Sequence, residues 1–68
     1  MRLRFSEQSP CGQYVLEDYG LFVVVDFPDG GDVFAQDDSA DIIRREWAAC
    51  AEVGDFSIFE EYRPEVDA

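Results

Sequence analysis

The sequence predicts an α+β domain, a small antiparallel sheet of four to five strands with one α-helix packed on one face, in the order β-β-β-(β)-α-β. Three observations predict it. Short β-branched and aromatic runs recur in the first half of the chain, separated by Gly, Pro and Asp turn residues. One longer segment, about 39–53, carries apolar residues at intervals of three and four. With only 68 residues, the chain forms one compact domain, 1–68, and a helix on one sheet face is the economical way to bury both.

Arg2-Leu3-Arg4-Phe5 alternates polar and apolar side chains, which suits a short strand or arm with Leu3 and Phe5 facing inward. Ser9-Pro10-Cys11-Gly12 is turn chemistry, and Gln13 to Glu17 reads as the next strand. Tyr19-Gly20 makes a tight reversal into Leu21 to Phe27, a β-branched run too short for a helix and bounded by Gly20 and Pro28. Pro28-Asp29-Gly30-Gly31 is a strong turn, because Pro presets φ and Gly tolerates positive φ. Asp32 to Gln36 returns as a further strand of the meander.

The helix is the clearest element. Asp38 is placed to cap it, with Asp41 three residues on as a capping-box variant. Ile42, Ile43, Trp47, Cys50 and Val53 form one apolar stripe, and Gly54 suits the position just past the end. Arg44, Arg45, Glu46 and Glu52 take the opposite side, with Arg44 turned to solvent near Glu46 or Asp41. Phe56 to Tyr62 then reads as a last strand, stopped by Pro64, and a tail at 64–68 is expected to fray.

Composition narrows the class. Apolar residues make up 47% of the chain, including six Phe, three Tyr and one Trp. Acidic disordered tails lack that aromatic content, so the chain is expected to fold. Two cysteines, Cys11 and Cys50, are too few for a disulfide framework. No apolar run approaches a membrane span, and the N-terminus shows no signal-peptide core. An intracellular, soluble monomer is expected, with no membrane partner.

Charge is the other strong signal. Sixteen acidic residues face five arginines, with no lysine or histidine, for a net charge of −11. Between Arg4 and Arg44 there is no positive residue, yet nine carboxylates lie there: Glu7, Glu17, Asp18, Asp26, Asp29, Asp32, Asp37, Asp38 and Asp41. Charge of one sign at this density costs stability through self-repulsion and creates a strong external field.

Several functions are disfavoured by the same residues. Without His or Lys there is no side chain poised near neutral pH and no Schiff-base chemistry, so no catalytic set is expected. Asp26, Asp29, Asp32, Asp37 and Asp38 superficially resemble a calcium loop. With Asp26 in the first position, however, Pro28 and Gly30 occupy ligand positions and the bidentate Glu is missing. No metal and no cofactor is expected. Direct nucleic-acid binding is disfavoured because phosphates would be repelled.

Some carboxylates have local roles: Asp38 and Asp41 at the helix start, Asp29 in its turn, Asp55 after Gly54. Asp26, Asp32, Asp37, Glu17, Asp18, Glu52, Glu60 and Glu61 have none evident. Asp26 alternates with Val25 and Phe27 and should emerge on the outer sheet face. Eleven net charges match about 19 Å of duplex DNA, so gathered on one face they would give a comparable field. The expected partner-contact set is Asp26, Asp29, Asp32, Asp37, Asp38, Asp41, Glu17, Asp18, Glu60 and Glu61, with Tyr14, Tyr19 or Tyr62 as an aromatic anchor.

In these respects the chain resembles the small acidic proteins that phages direct against bacterial defences, above all anti-CRISPR proteins and other DNA mimics. The likeness is one of character: a compact α+β domain, no catalytic set, and uncompensated carboxylates such as Asp26, Asp29, Asp32, Asp37 and Asp38. It implies a stoichiometric inhibitor that occupies the Lys/Arg-lined DNA or PAM site of a CRISPR-Cas effector subunit. Two alternatives stay open: an immunity protein or antitoxin neutralising a basic nuclease, and a salt-adapted acidic domain with no special partner.

Overall fold

The computed structural model describes residues 2–63. Four antiparallel strands, β1 (Phe5–Gln8), β2 (Val15–Asp18), β3 (Phe22–Asp26) and β4 (Asp32–Gln36), form a meander in spatial order β1-β2-β3-β4. Helix α1 (Asp38–Val53) follows and packs across β3 and β4, and a single helical turn, α2 (Phe59–Tyr62), closes the described chain. The α+β class with one helix on one sheet face is as expected.

Turn chemistry sets the register. Tyr19 N–H donates to Phe22 O at 2.9 Å, so Gly20 and Leu21 form a two-residue hairpin loop. Gly20 takes φ 91°, a conformation that an L side chain rarely adopts, and its N–H donates to Asp18 Oδ1. In the next hairpin, Gly31 N–H donates to Asp29 Oδ1, and Asp26 lies opposite Asp32. Ser9 is buried because its hydroxyl accepts a hydrogen bond from Tyr14 N–H in the β1–β2 loop.

Period-2 alternation then separates two faces. Leu16, Val23, Val25, Val33 and Ala35 point toward α1 and are buried, joined by Ala40, Ile43, Trp47 and Cys50 from the helix. Phe56 and Phe59 complete this core, with ring centroids 4.7 and 5.8 Å from Trp47. Full burial of residues such as Val23, Val25 and Phe59 contributes about 1.5–3 kcal/mol each.

Five expectations need correction. The first strand is Phe5–Gln8, not Arg2 to Phe5, and Leu3 and Phe5 are exposed. The Ser9–Tyr14 loop fixes its pairing with β2, and as an edge strand it is exposed along its whole length. The second strand begins at Val15, because Tyr14 still belongs to that loop. Asp37, not Asp38, is the helix N-cap, and no side-chain hydrogen bond caps it.

Within α1, Ile42 and Val53 are exposed, so the buried stripe is Ala40, Ile43, Trp47 and Cys50. Finally, the segment after the helix is not a strand. Asp55 Oδ1 accepts from Ser57 N–H and starts a helical turn. Phe56 and Phe59, three apart, both reach the core, so the operative period is three, not two. Gly54 ends α1 at φ 76°, donating to Cys50 O, in the place the sequence assigned to it. The tail at 64–68 lies outside the described residues.

Candidate partner-binding surface

The arginines decide which carboxylates remain available. Arg44 comes from the middle of α1 and reaches the end of β2, where it grips Asp18 in bidentate fashion: Nε to Oδ2 at 2.8 Å and Nη2 to Oδ1 at 2.9 Å. It also bonds Asp41 at 2.7 Å and the Gly20 carbonyl. Arg44 is therefore half-buried, held by four hydrogen bonds to three partners; Asp41 is one of them, as expected, but the side chain is not turned to solvent. Its guanidinium holds the Asp18 carboxyl below the usual carboxylate range, with the Gly20 N–H adding to the effect.

Arg63 makes the second such centre. It bonds Asp29 at 3.0 Å and Glu60 at 3.3 Å, while its Cζ sits 4.6 Å from the Phe27 ring centroid. Asp29 is held low by the Gly31 N–H first and by Arg63 second. Four of the ten expected contact residues, Asp18, Asp29, Asp41 and Glu60, thus carry ion pairs within the chain.

The other six fall in three places. Glu17, Asp26 and Asp32 share the sheet face that α1 leaves uncovered. Asp37 and Asp38 stand exposed where β4 turns into α1, and Glu61 lies on α2. Glu61 shares an open cleft of about 400 Å³ with Glu46, Cys50, Asp55 and Ile58. Among the described residues, none of these six is in an ion pair.

The uncovered face of the sheet has a distinct layout. Register places Ser6 and Gln8 on β1, Val15 and Glu17 on β2, Phe22, Val24 and Asp26 on β3, and Asp32, Phe34 and Gln36 on β4 along this one side. At one end, Asp26 lies directly opposite Asp32, and Glu17 reaches Asp26. Hydrogen bonding to the Asp26 carboxyl, then partial burial, raises Glu17 above its ordinary 4.5. At the other end, Tyr19 stacks on Phe22 with centroids 4.7 Å apart, and Phe22 meets Phe34 at 5.2 Å. Phe34 is 56% exposed.

Strands β2, β3 and β4 carry no arginine; Arg4 stands at the rim, its guanidinium against Gly20. Of the three candidate anchor tyrosines, only Tyr19 is on this face. Tyr14 is buried, edge-on to Phe27, and its hydroxyl points to Glu60. Tyr62 is exposed on α2.

Sequence reasoning missed Phe22 and Phe34. The signal was present, since strict alternation in Asp32-Val33-Phe34-Ala35-Gln36 puts Phe34 on the same side as the two polar residues. Among the described residues, no group of three or more Asp, Glu, Cys or His side chains could hold a metal ion. Cys11 and Cys50 are free thiols. Burial pushes the Cys50 thiol up, with Glu46 and Asp55 adding to it. No helix among the described residues is long and apolar enough to cross a membrane. In comparisons with known proteins, no family model matches the chain, and no curated protein or solved structure is significantly similar to it.

Proposed function

We propose that this protein is a non-catalytic inhibitor whose carboxylates occupy the Lys/Arg-lined nucleic-acid site of a CRISPR-Cas effector. One observation carries the reading: Arg44 and Arg63 are each held between two internal acids, while among the described residues Glu17, Asp26, Asp32, Asp37 and Asp38 are in no ion pair. Two of the five arginines are thus spent on internal ion pairs, and the net charge of −11 is carried by acids in excess of cations. A cationic groove built for phosphates offers the complementary chemistry, with arginines binding carboxylates in bidentate fashion. That the groove belongs to a CRISPR effector follows from the resemblance to anti-CRISPR proteins; that it is cationic follows from the charge.

Association driven this way is fast and sensitive to ionic strength. The test is competition with labelled target DNA for a panel of purified CRISPR effector complexes, read by fluorescence anisotropy. Inhibition should be saturable near one inhibitor per effector and weaken at least tenfold between about 50 and 200 mM salt. Converting Asp26, Asp32 and Asp37 together to Lys should abolish it. Absence of competition across the panel at low salt overturns the reading.

A further inference from the structure

The uncovered sheet face combines two features that are each unfavourable in an isolated protein. Phe34 and Phe22 expose ring surface to water, and Asp26 opposes Asp32 with Glu17 alongside, although like charges across a strand pair repel. Neither α1 nor α2 covers these residues, since both pack on the opposite face with Val23 and Val25. Three strand spacings and five residues give an area of about 14 by 17 Å, enough for two or three side chains of a partner.

One chemical group suits both halves. A guanidinium is planar and stacks on an aromatic ring, and its fork of N–H donors bonds carboxylates in pairs. An ammonium offers the charge without the plane. The molecule itself uses the combination: Arg63 lies over the Phe27 ring while bonding Asp29 and Glu60. On the open face, Asp32 and Phe34 are two residues apart on the same side of β4, and Asp26 and Phe22 flank Val24 on β3. Ring and carboxylate are present there; the guanidinium is what is lacking.

We propose that the outer face of the sheet is a docking surface for an arginine-bearing segment of a partner protein, stacked on Phe34 and Phe22 and bonded to Asp26, Asp32 and Glu17. This rests on the inhibitor reading and adds to it that the partner is engaged through arginine in preference to lysine, at this face.

The experiment titrates the intact protein with two blocked pentapeptides, Gly-Arg-Gly-Arg-Gly and Gly-Lys-Gly-Lys-Gly, followed by amide chemical shifts. The arginine peptide should bind about three- to tenfold more tightly, with the largest shifts in β3 and β4. Phe34→Leu keeps an apolar side chain but removes the ring, and should erase the preference while the amide spectrum remains that of the folded protein. Asp26→Asn with Asp32→Asn should weaken both peptides, whereas Glu46→Gln with Glu52→Gln, an equal change of charge on α1, should weaken them much less. Equal affinity for both peptides, an arginine preference that survives Phe34→Leu, or shifts confined to α1 overturns the proposal.

The DNA competition separates the two readings. If Phe34→Leu and the Asp26/Asp32 pair compete as well as the native chain, the face is wrong and the inhibitor reading stands. If the native chain fails to compete yet shows the arginine preference, the face stands and the inhibitor reading falls.

Discussion

Asp37 is the one residue other than glycine with positive φ among those described, at 55° with ψ −128°. A side chain there strains the backbone by about 1–3 kcal/mol. The strain sits where β4 must turn sharply into α1, with Asp37 N–H bonded to Leu21 O. Asp37→Gly should therefore stabilise the protein by about 1 kcal/mol in urea denaturation. Asp37→Asn removes the same charge but keeps the Cβ, so it should recover only a fraction of that gain. Equal gains for the two would mean that charge relief, not backbone strain, governs this position. The turn was not legible beforehand, because nothing local distinguishes Asp38, the expected cap, from its chemically identical neighbour Asp37. Chain geometry, set by how β4 ends, selects between them.

At the scale of elements, α2 shows how a short segment can be misread. Phe56-Ser57-Ile58-Phe59 alternates loosely enough to pass as a strand, but the sheet has four strands with β1 and β4 at its edges, and the segment pairs with neither. It folds under α1, where Phe59 is fully buried against Trp47 and Phe56. Phe59→Ala should cost about 3–5 kcal/mol. A domain of this size has only about 3–10 kcal/mol in total, so the variant should be largely unfolded at 37 °C by circular dichroism. Tyr62→Ala, on the exposed side of the same turn, should cost under about 1 kcal/mol. A folded Phe59→Ala protein with native urea midpoint would show that α2 is not part of the core. Two local cues did point to the turn: Asp55 two residues before Ser57, and phenylalanines three apart. They compete with a period of two, and only contact with Trp47 decides between them.

For the whole molecule, charge should shape stability through two opposing pH windows. Glu17 is raised in the folded state, so ionising it costs stability at neutral pH. That cost is relieved as pH falls through its folded value toward 4.5 and below. Asp18 is depressed, so its contribution is complete above its ordinary 3.8 and is lost as pH falls through the lower folded value. The melting temperature should accordingly rise as pH falls from neutral toward 4.5 and drop once pH falls below 3.8. Glu17→Gln should flatten the rise and leave the acid limb intact; a monotonic decline from pH 7 downward would contradict this assignment.

Salt provides a second test at this scale. The molecule spans 31 × 29 × 18 Å, and the screening length falls from about 30 Å at 0.01 M to about 10 Å at 0.1 M. Self-repulsion across the molecule is therefore screened early. Melting temperature should climb up to about 0.15 M salt and then level off. A steep climb continuing into the molar range would favour salt adaptation over a partner-directed surface.

By itself the sequence determined the class, the glycine-dependent turns, the span and end of α1, and the size of the charge imbalance. Each of these rests on local periodicity or on which residues tolerate positive φ. Two matters were left to tertiary structure. Phe22 and Val24 are as apolar as Val23 and Val25, so alternation alone cannot say which set is covered. The side on which α1 crosses makes the second pair core and leaves Phe22 beside an exposed Phe34. The fate of the carboxylates was equally hidden, because Arg44 finds Asp18 26 residues away and Arg63 finds Asp29 34 residues away. Ion pairing depends on which chain ends the fold brings within about 4 Å, and no spacing along the chain encodes that.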